Sequence, residues 1–498
     1  MILAIDLGST GVRAIGVNHE GRIVASAYRR INQFYPRIGW SEHDLEEIWA
    51  ECLAVCFDVL RSGCCKTHSI KGIGLTTQRN TLAIWDRSSG KPFLPAISWS
   101  DNRAWDLCQI YRKRDKSNLF LKRSGRRLLP SNIGLRLLWA MQKDGEVKKR
   151  LLSKTALWGT LDTWLLWKLS SARGWATDYS NAGCSGLFDL LDIAWSKELM
   201  DFLDLPGIPM PEVRPTTGNF GETNRELLGR AIPIFCLSGD QYASLFGQGC
   251  VHPGMAKCTL GTGGFFIVNV GTRPVENIDE IITRICWHLG DRAIYGLEGA
   301  IFHVGTLLEW LCNKLRFVDG VEQSAKMAAA VDSRGLYIVP AFSGLGSPFW
   351  DPDAKAIMVG ASLETGPAEL IRASLEAIAF RIQDIVEVMK KSASMQKISF
   401  RFDGNVSTND TLMQIIADQL QCEVERSSSF EFRSALGAAF LAGLQAGIWH
   451  NLDEIKGMWS PARVFYPRKH ESETRELYNG WLDAVERSRG RFIRQNAV

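Results

Sequence analysis

One unit constrains this chain more than any other, because it occurs twice. Ile2–Leu7 is a short aliphatic run that ends in Gly8-Ser9-Thr10-Gly11 and resumes as the apolar residues 12–17. Far downstream, Met255–Leu260 ends in Gly261-Thr262-Gly263-Gly264 and resumes over residues 265–270. Apolar runs joined by a turn of small residues read as β-hairpins. His19-Glu20-Gly21 turns the first into a third strand, so the chain opens as an antiparallel meander. The repetition predicts two related domains, 1–247 and 248–498, joined at Gly247-Gln-Gly-Cys-Val-His-Pro-Gly254, a stretch dense in turn formers. Ile48, Cys52, Val55 and Val59 recur at helical spacing ahead of a strand over residues 70–75, which makes the architecture α/β. An amphipathic helix is predicted over residues 368–390 and a small-residue helix, suited to close packing, over residues 435–447. The charged tail after Pro467 reads as a surface helix.

Several classes fall away. The formal charge of +4 over 498 residues gives no support to a nucleic-acid partner or a polybasic membrane role. No segment offers ~20 uncharged apolar residues for a membrane span, and Met1-Ile-Leu-Ala-Ile-Asp6 lacks the basic start of a signal peptide. The twelve cysteines form no C-x-x-C pair, which argues against zinc and for a reducing, cytoplasmic setting.

The glycine turns are suited to phosphate. A tight turn aims consecutive backbone N–H groups at one point, Ser9 and Thr10 add hydroxyls, and Arg13 adds a cation. Asp6, at a strand end, is a candidate Mg²⁺ ligand. Either turn, alone, also reads as an ordinary hairpin. No G-x-x-x-x-G-K-[ST] loop is present, which argues against a P-loop NTPase. Asp240, in Leu237-Ser-Gly-Asp-Gln241, follows the apolar residues 231–237 and suits a general base or a helix cap.

Together these residues resemble the FGGY-family carbohydrate kinases, within them the glycerol kinase branch. The resemblance runs through DLGSTGVRA (6–14), GWSEHDLEEIW (39–49), TTQR (76–79), GKPFLPAISWSDNRA (90–104), GTLDTWLLWKL (159–169), SGDQYASLFGQ (238–248), GMAKCTLGTGGF (254–265), LEGAIF (297–302), VPAFSGLGSPFWDPDA (339–354) and LGAAFLAGLQAGIW (436–449). It implies two ribonuclease H-like domains of the actin/hexokinase type around a central cleft that takes ATP, Mg²⁺ and a polyol or sugar. It implies that Asp240 is the catalytic base and Asp6 the metal site. Arg79, Asn80, Trp99, Ser131, Asp240, Gln241 and Phe265 are implied on the substrate, and Ser9, Thr10, Gly11, Arg13, Thr262, Gly305, Glu309, Asn405 and Asn409 on the nucleotide. A homo-oligomer is compatible with it. The alternatives are a protein that binds polyol or sugar with little catalysis, a ketopentose kinase of the xylulose or ribulose type, and a non-catalytic ATP-binding machine of the same fold.

Four departures stand out. Glycerol kinases read N-Q-R-E where this chain has Thr77-Gln78-Arg79-Asn80, and tyrosine where it has Ser131. Glu309 replaces glutamine, and Asn405 the second glycine of a pair. A larger pocket with different hydrogen bonding suits a longer polyol or a ketose. The Asp101/Arg103 pair could add hydroxyl contacts there, or serve as a helix cap with a structural arginine.

Overall fold

In a computed structural model the described residues are 1–489, apart from 66, 206, 277 and 429. The first sheet holds β1 (Ile2–Leu7), β2 (Gly11–Val17), β3 (Ile23–Arg30), β4 (Gly72–Thr77) and β5 (Ile234–Gly239), in the order β3-β2-β1-β4-β5. The first three strands form the expected antiparallel meander, while β4 and β5 run parallel to β1. Their near-continuous apolar sequences follow from burial on both faces. The Leu45–Arg61 helix, capped by Asp44, covers one face with Ile48, Cys52, Val55 and Val59.

The second sheet repeats the plan. It holds β6 (Met255–Leu260), β7 (Gly264–Gly271), β8 (Ile282–Leu289), β9 (Arg292–Ile301), β10 (Ser399–Asp403), β11 (Val424–Ser427) and β12 (Pro461–Phe465), in the order β8-β9-β7-β6-β10-β11-β12. Without its edge strands β8 and β12, the sheet reads β9-β7-β6-β10-β11. The strand order and directions match those of the first sheet. This twofold ribonuclease H-like arrangement is the fold expected. The Pro367–Ser392 helix packs its apolar face on the second sheet's core. The tail forms the Glu471–Ser488 helix, polar outside yet with Trp481 fully buried.

One helix crosses back. Arg433–Gln445 lies in sequence between β11 and β12 of the second sheet but packs on the first sheet and against the Asp240–Gly247 helix. Its small residues permit a backbone-to-backbone approach. A Cβ on Gly437 would lie 1.7 Å from the Ala243 carbonyl oxygen, and one on Gly247 2.0 Å from that of Arg433. No described helix is long and apolar enough to cross a membrane.

Candidate active site

Register places the first cluster. Asp6 pairs with Thr76, and Thr76 with Ser238, so β1, β4 and β5 end side by side. The residues that follow therefore meet: the Gly8–Gly11 turn, Gln78-Arg79-Asn80, and Asp240. Asp240 heads the Asp240–Gly247 helix, where its carboxylate accepts from the Gln241 N–H at 2.8 Å. It also lies 3.3 Å from Arg79 Nε and keeps a quarter of its side chain open to solvent. Burial, then the neighbouring Asp240, pushes the Asp6 carboxyl up to about 7, against the opposing pull of Arg13. Ser9 Oγ donates to Gln78 Oε1, and Trp99 Nε1 donates to Ser9 Oγ, each at 2.8 Å.

Arg79 is held firmly. It forms a two-point ion pair with Glu298 on β9, at 2.8 and 2.9 Å, and donates to the Tyr242 hydroxyl at 2.6 Å. Burial alone would raise the Glu298 carboxyl, yet Arg79 and Arg284 bring it down to about 2. Asn80 adopts a left-handed backbone (φ 60°), and its Oδ1 is buried without a protein partner. Arg136 pins this wall by donating to the carbonyls of Asn80, Trp99 and Asp101 at 2.6–2.9 Å.

The second cluster is built likewise. Thr259 pairs with Asp403, so β6 and β10 deliver the Gly261–Gly264 turn and the Gly404-Asn405 loop side by side. Gly404 takes φ +90°, and a Cβ there would lie 2.3 Å from the Leu260 carbonyl oxygen. The Gly305–Asn313 helix starts against the turn, with Gly305 N–H on Gly261 O at 2.9 Å. Thr262, Asn405 and Glu309 are exposed, and Phe265 is half-buried on β7. Asn409 caps the Asp410–Leu420 helix through Oδ1, while its Nδ2 is buried without a partner.

Lys257 joins the clusters. Its Nζ donates to Gln241 Oε1 at 2.6 Å and to Thr259 Oγ1 at 2.7 Å. Burial lowers its pKa, with Asp403 and Asp240 opposing that shift.

Other residues of the sequence reading stand apart. Arg13 is engaged with Glu431 and lies between the rings of Tyr28 and Phe432. Thr10 is exposed, and Gly11 packs under Tyr28. Ser131 lies on the turn before the Ile133–Lys143 helix, with no hydrogen bond to the cluster. The Asp101/Arg103 pair is a structural clamp: Arg103 also binds Glu42 and stacks on Trp40 and Trp139. Asp101 caps no helix, because Ala104 holds the N-cap position of the helix that follows. Sequence reasoning missed Lys257, Glu298, Tyr242 and the buried arginines. The available signal was a charge in mid-strand, in Met255-Ala-Lys-Cys-Thr-Leu260 and Tyr295-Gly-Leu-Glu-Gly299.

Comparison with known proteins places this geometry. The FGGY family of carbohydrate kinases matches through its N-terminal domain over residues 1–247 and its C-terminal domain over residues 256–446. The glycerol kinase of Halorhodospira halophila is 40% identical over 98% of this chain and 96% of its own length. That of Gluconobacter oxydans is 37% identical over 98% and 95%. The crystal structure of Plasmodium falciparum glycerol kinase with ADP superposes with a TM-score of 0.94 at 31% identity, covering 99% of this chain and 98% of that one. A gluconate kinase from Lactobacillus acidophilus, at 21% identity and a TM-score of 0.88 over 98% and 97% of the two chains, shares the fold.

Proposed function

The chain belongs to the FGGY family of carbohydrate kinases, and on that premise we propose that it transfers the γ-phosphoryl group of ATP to a hydroxyl of a polyol or small sugar. The observation that carries this reading is Asp240: a partly open carboxylate at a strand end, beside Arg79 and facing Asp6. Phosphoryl transfer passes through a loose transition state, so the protein mainly positions groups and neutralises charge. Asp240 takes the proton of the attacking hydroxyl. Arg79, Trp99 and Gln241 orient the acceptor, with Phe265 as its apolar wall. The Asn80 Oδ1, without a protein partner, is free to accept from an acceptor hydroxyl.

The phosphates would lie between the two turns, with Ser9, Thr10 and Gly11 on one side and Thr262 on the other, while Arg13 is held away from them by Glu431. Gly305, Glu309, Asn405 and Asn409 border the nucleoside. On this reading residues 1–247 supply most of the acceptor site and the first phosphate turn, and residues 248–498 the second phosphate turn and the nucleoside site. The residues fit Mg²⁺, because Asp6 and Asp240 crowd each other and a cation between them would offset that repulsion. Mg²⁺ takes one or two carboxylates and completes its shell with water and phosphate oxygens. Asp6 would hold it, and it would supply charge neutralisation at the β- and γ-phosphates. All twelve cysteines are unpaired, which supports a cytoplasmic setting.

The test is ADP release with a panel of polyols and ketoses. Release must depend strictly on the acceptor. Glycerol should be poor against four- and five-carbon acceptors, by ~10²-fold in kcat/KM, because Ser131 leaves space glycerol cannot fill and misplacement by about 1 Å carries that cost. Glycerol emerging as the best acceptor would defeat the argument from Asn80 and Ser131 and leave the kinase standing.

A further inference from the structure

The acceptor side carries more positive charge than its carboxylates balance. Arg79, Arg126, Arg136 and Arg284 lie around it, while Glu298, Asp240 and Asp6 are the acids, the first two already in contact with Arg79. Asp101, beside Arg136, is taken by Arg103 and the Ser41 N–H. Arg284, 3% exposed, lies 3.5 Å from Glu298 but its Nε makes no hydrogen bond.

Arg126 is the extreme case. It is 6% exposed, and among the described residues it forms no ion pair. Among the described residues its one hydrogen bond runs from Nη2 to the Cys184 carbonyl at 3.2 Å, and none of them accepts from Nε or Nη1. Burial and the adjacent Arg284 push its pKa down to about 9, so it remains charged at neutral pH. Its location is fixed from two sides. Cys184 Sγ lies 3.2 Å from the Tyr242 hydroxyl and 3.8 Å from Arg79 Nη1. Asn132, next to Ser131, donates to the Gly186 carbonyl at 3.2 Å, and a Cβ on Gly186 would lie 3.6 Å from Arg126 Nη2. Arg126 therefore lies between the Arg79 anchor and the turn where a serine stands in for a tyrosine.

A buried cation without a counter-charge is strongly unfavourable, and chains retain one where it serves a ligand. We propose that Arg126 and Arg284 form an anion-binding subsite at the far end of the acceptor pocket, and that the acceptor is a polyol bearing an acid group. The guanidinium fork matches a carboxylate or phosphate in two-point fashion, so a sugar acid and a polyol phosphate are the two forms of that chemistry. This inference rests on the kinase reading for the hydroxyl transfer and deepens it by naming the other end of the acceptor.

The experiment compares matched acceptors of one chain length: erythritol, erythronate and erythritol 4-phosphate, then ribitol, ribonate and ribitol 5-phosphate. Two signals are read on the full chain, ADP release with ATP and the thermal midpoint without it. One acid form should exceed its neutral partner by about 10- to 100-fold in kcat/KM, the range of a charged hydrogen-bonded contact. It should also raise the midpoint, and the better arm identifies carboxylate or phosphate. Arg126→Gln should collapse the acid-to-neutral ratio towards one and abolish the acid's thermal shift, while the ligand-free midpoint holds or rises. A merely structural arginine would instead lower that midpoint and leave the ratio alone, which would overturn the subsite. So would a wild-type preference for the neutral acceptor. Should Arg126→Gln fail to fold, Arg126→Lys decides, since it keeps the charge without the fork: an intermediate ratio supports the subsite and an unchanged one refutes it. No ADP release with any acceptor would sink the kinase reading instead, and the thermal shift would still score the subsite.

Discussion

The two sheets share a strand plan and put it to different ends. In both, a glycine turn leaves the first strand and a loop leaves the fourth, side by side. On the first sheet the strand ends hold Asp6, Arg79 and, after the fifth strand, Asp240, with Arg79 paired to both Asp240 and Glu298. On the second they hold Thr262, Gly404 and Asn405, with few side-chain partners and two of the three exposed. On the proposed function, the difference follows from what each would bind. A small acceptor has to be aimed within a fraction of an ångström, which takes side chains locked by neighbours. Phosphates are satisfied by backbone N–H groups, which a glycine turn presents without further support.

Four experiments would break or sharpen that contrast. The largest effect belongs to Asp240→Asn, expected to lower kcat by ~10²–10⁴-fold while a thermal shift with ADP persists. A variant keeping more than a tenth of the turnover would remove Asp240 as base. Next, Glu298→Leu leaves Arg284 buried without its carboxylate and Arg79 with Asp240 alone. Breaking such a pair costs about 3–5 kcal/mol, read as a lowered urea midpoint. The pH dependence has a definite sign. Glu298 is held at about 2 against an ordinary 4.5, so its contribution is complete above 4.5 and is lost as pH falls through 2. The variant should lack that acid-side loss.

Asp6 has the opposite sign. Its carboxyl is raised from 3.8 to about 7, so the charged form burdens the ligand-free fold above pH 7, and the burden is gone below 3.8. Asp6→Asn should therefore stabilise the ligand-free protein at pH 8, by ~1 kcal/mol, with the gain shrinking towards pH 4 and turnover lost. A constant difference across that range would show that Asp6 does not titrate there. The smallest effect is Thr262→Val, a loss of ~2- to 10-fold in kcat from one hydrogen bond. Confined instead to the acceptor KM, it would place the Gly261–Gly264 turn away from the phosphates.

Much of this was legible in sequence, for local reasons. The hairpins follow from apolar runs and glycine turns, the 433–445 helix from its run of Ala and Gly, and the prominence of Asp240 from the strand that precedes it. What stayed hidden was partnership. Lys257 and Glu298 are single charges inside apolar strands, and nothing local tells whether such a charge faces solvent or an ion pair. Glu298 meets Arg79 across 219 positions, and Arg126 meets Cys184 across 58. Arg13 shows the same limit in reverse: its place beside the first turn suggested phosphate, while Glu431, 418 residues away, occupies it.

The seam between the Asp240–Gly247 and Arg433–Gln445 helices has a mechanical meaning. Helices that interlock through side chains behave like meshed cogs, because turning one requires lifting its ridges from the other's grooves. Here main chain rests on main chain at Gly437 and at Gly247, so the pair resembles a roller on a rail. Asp240 stands three residues beyond the Ala243 contact, ~4.5 Å along the helix axis at 1.5 Å per residue. A tilt of about 10° at that contact carries its end of the helix through roughly 0.8 Å by that same arm, the difference between resting near a hydroxyl and touching it.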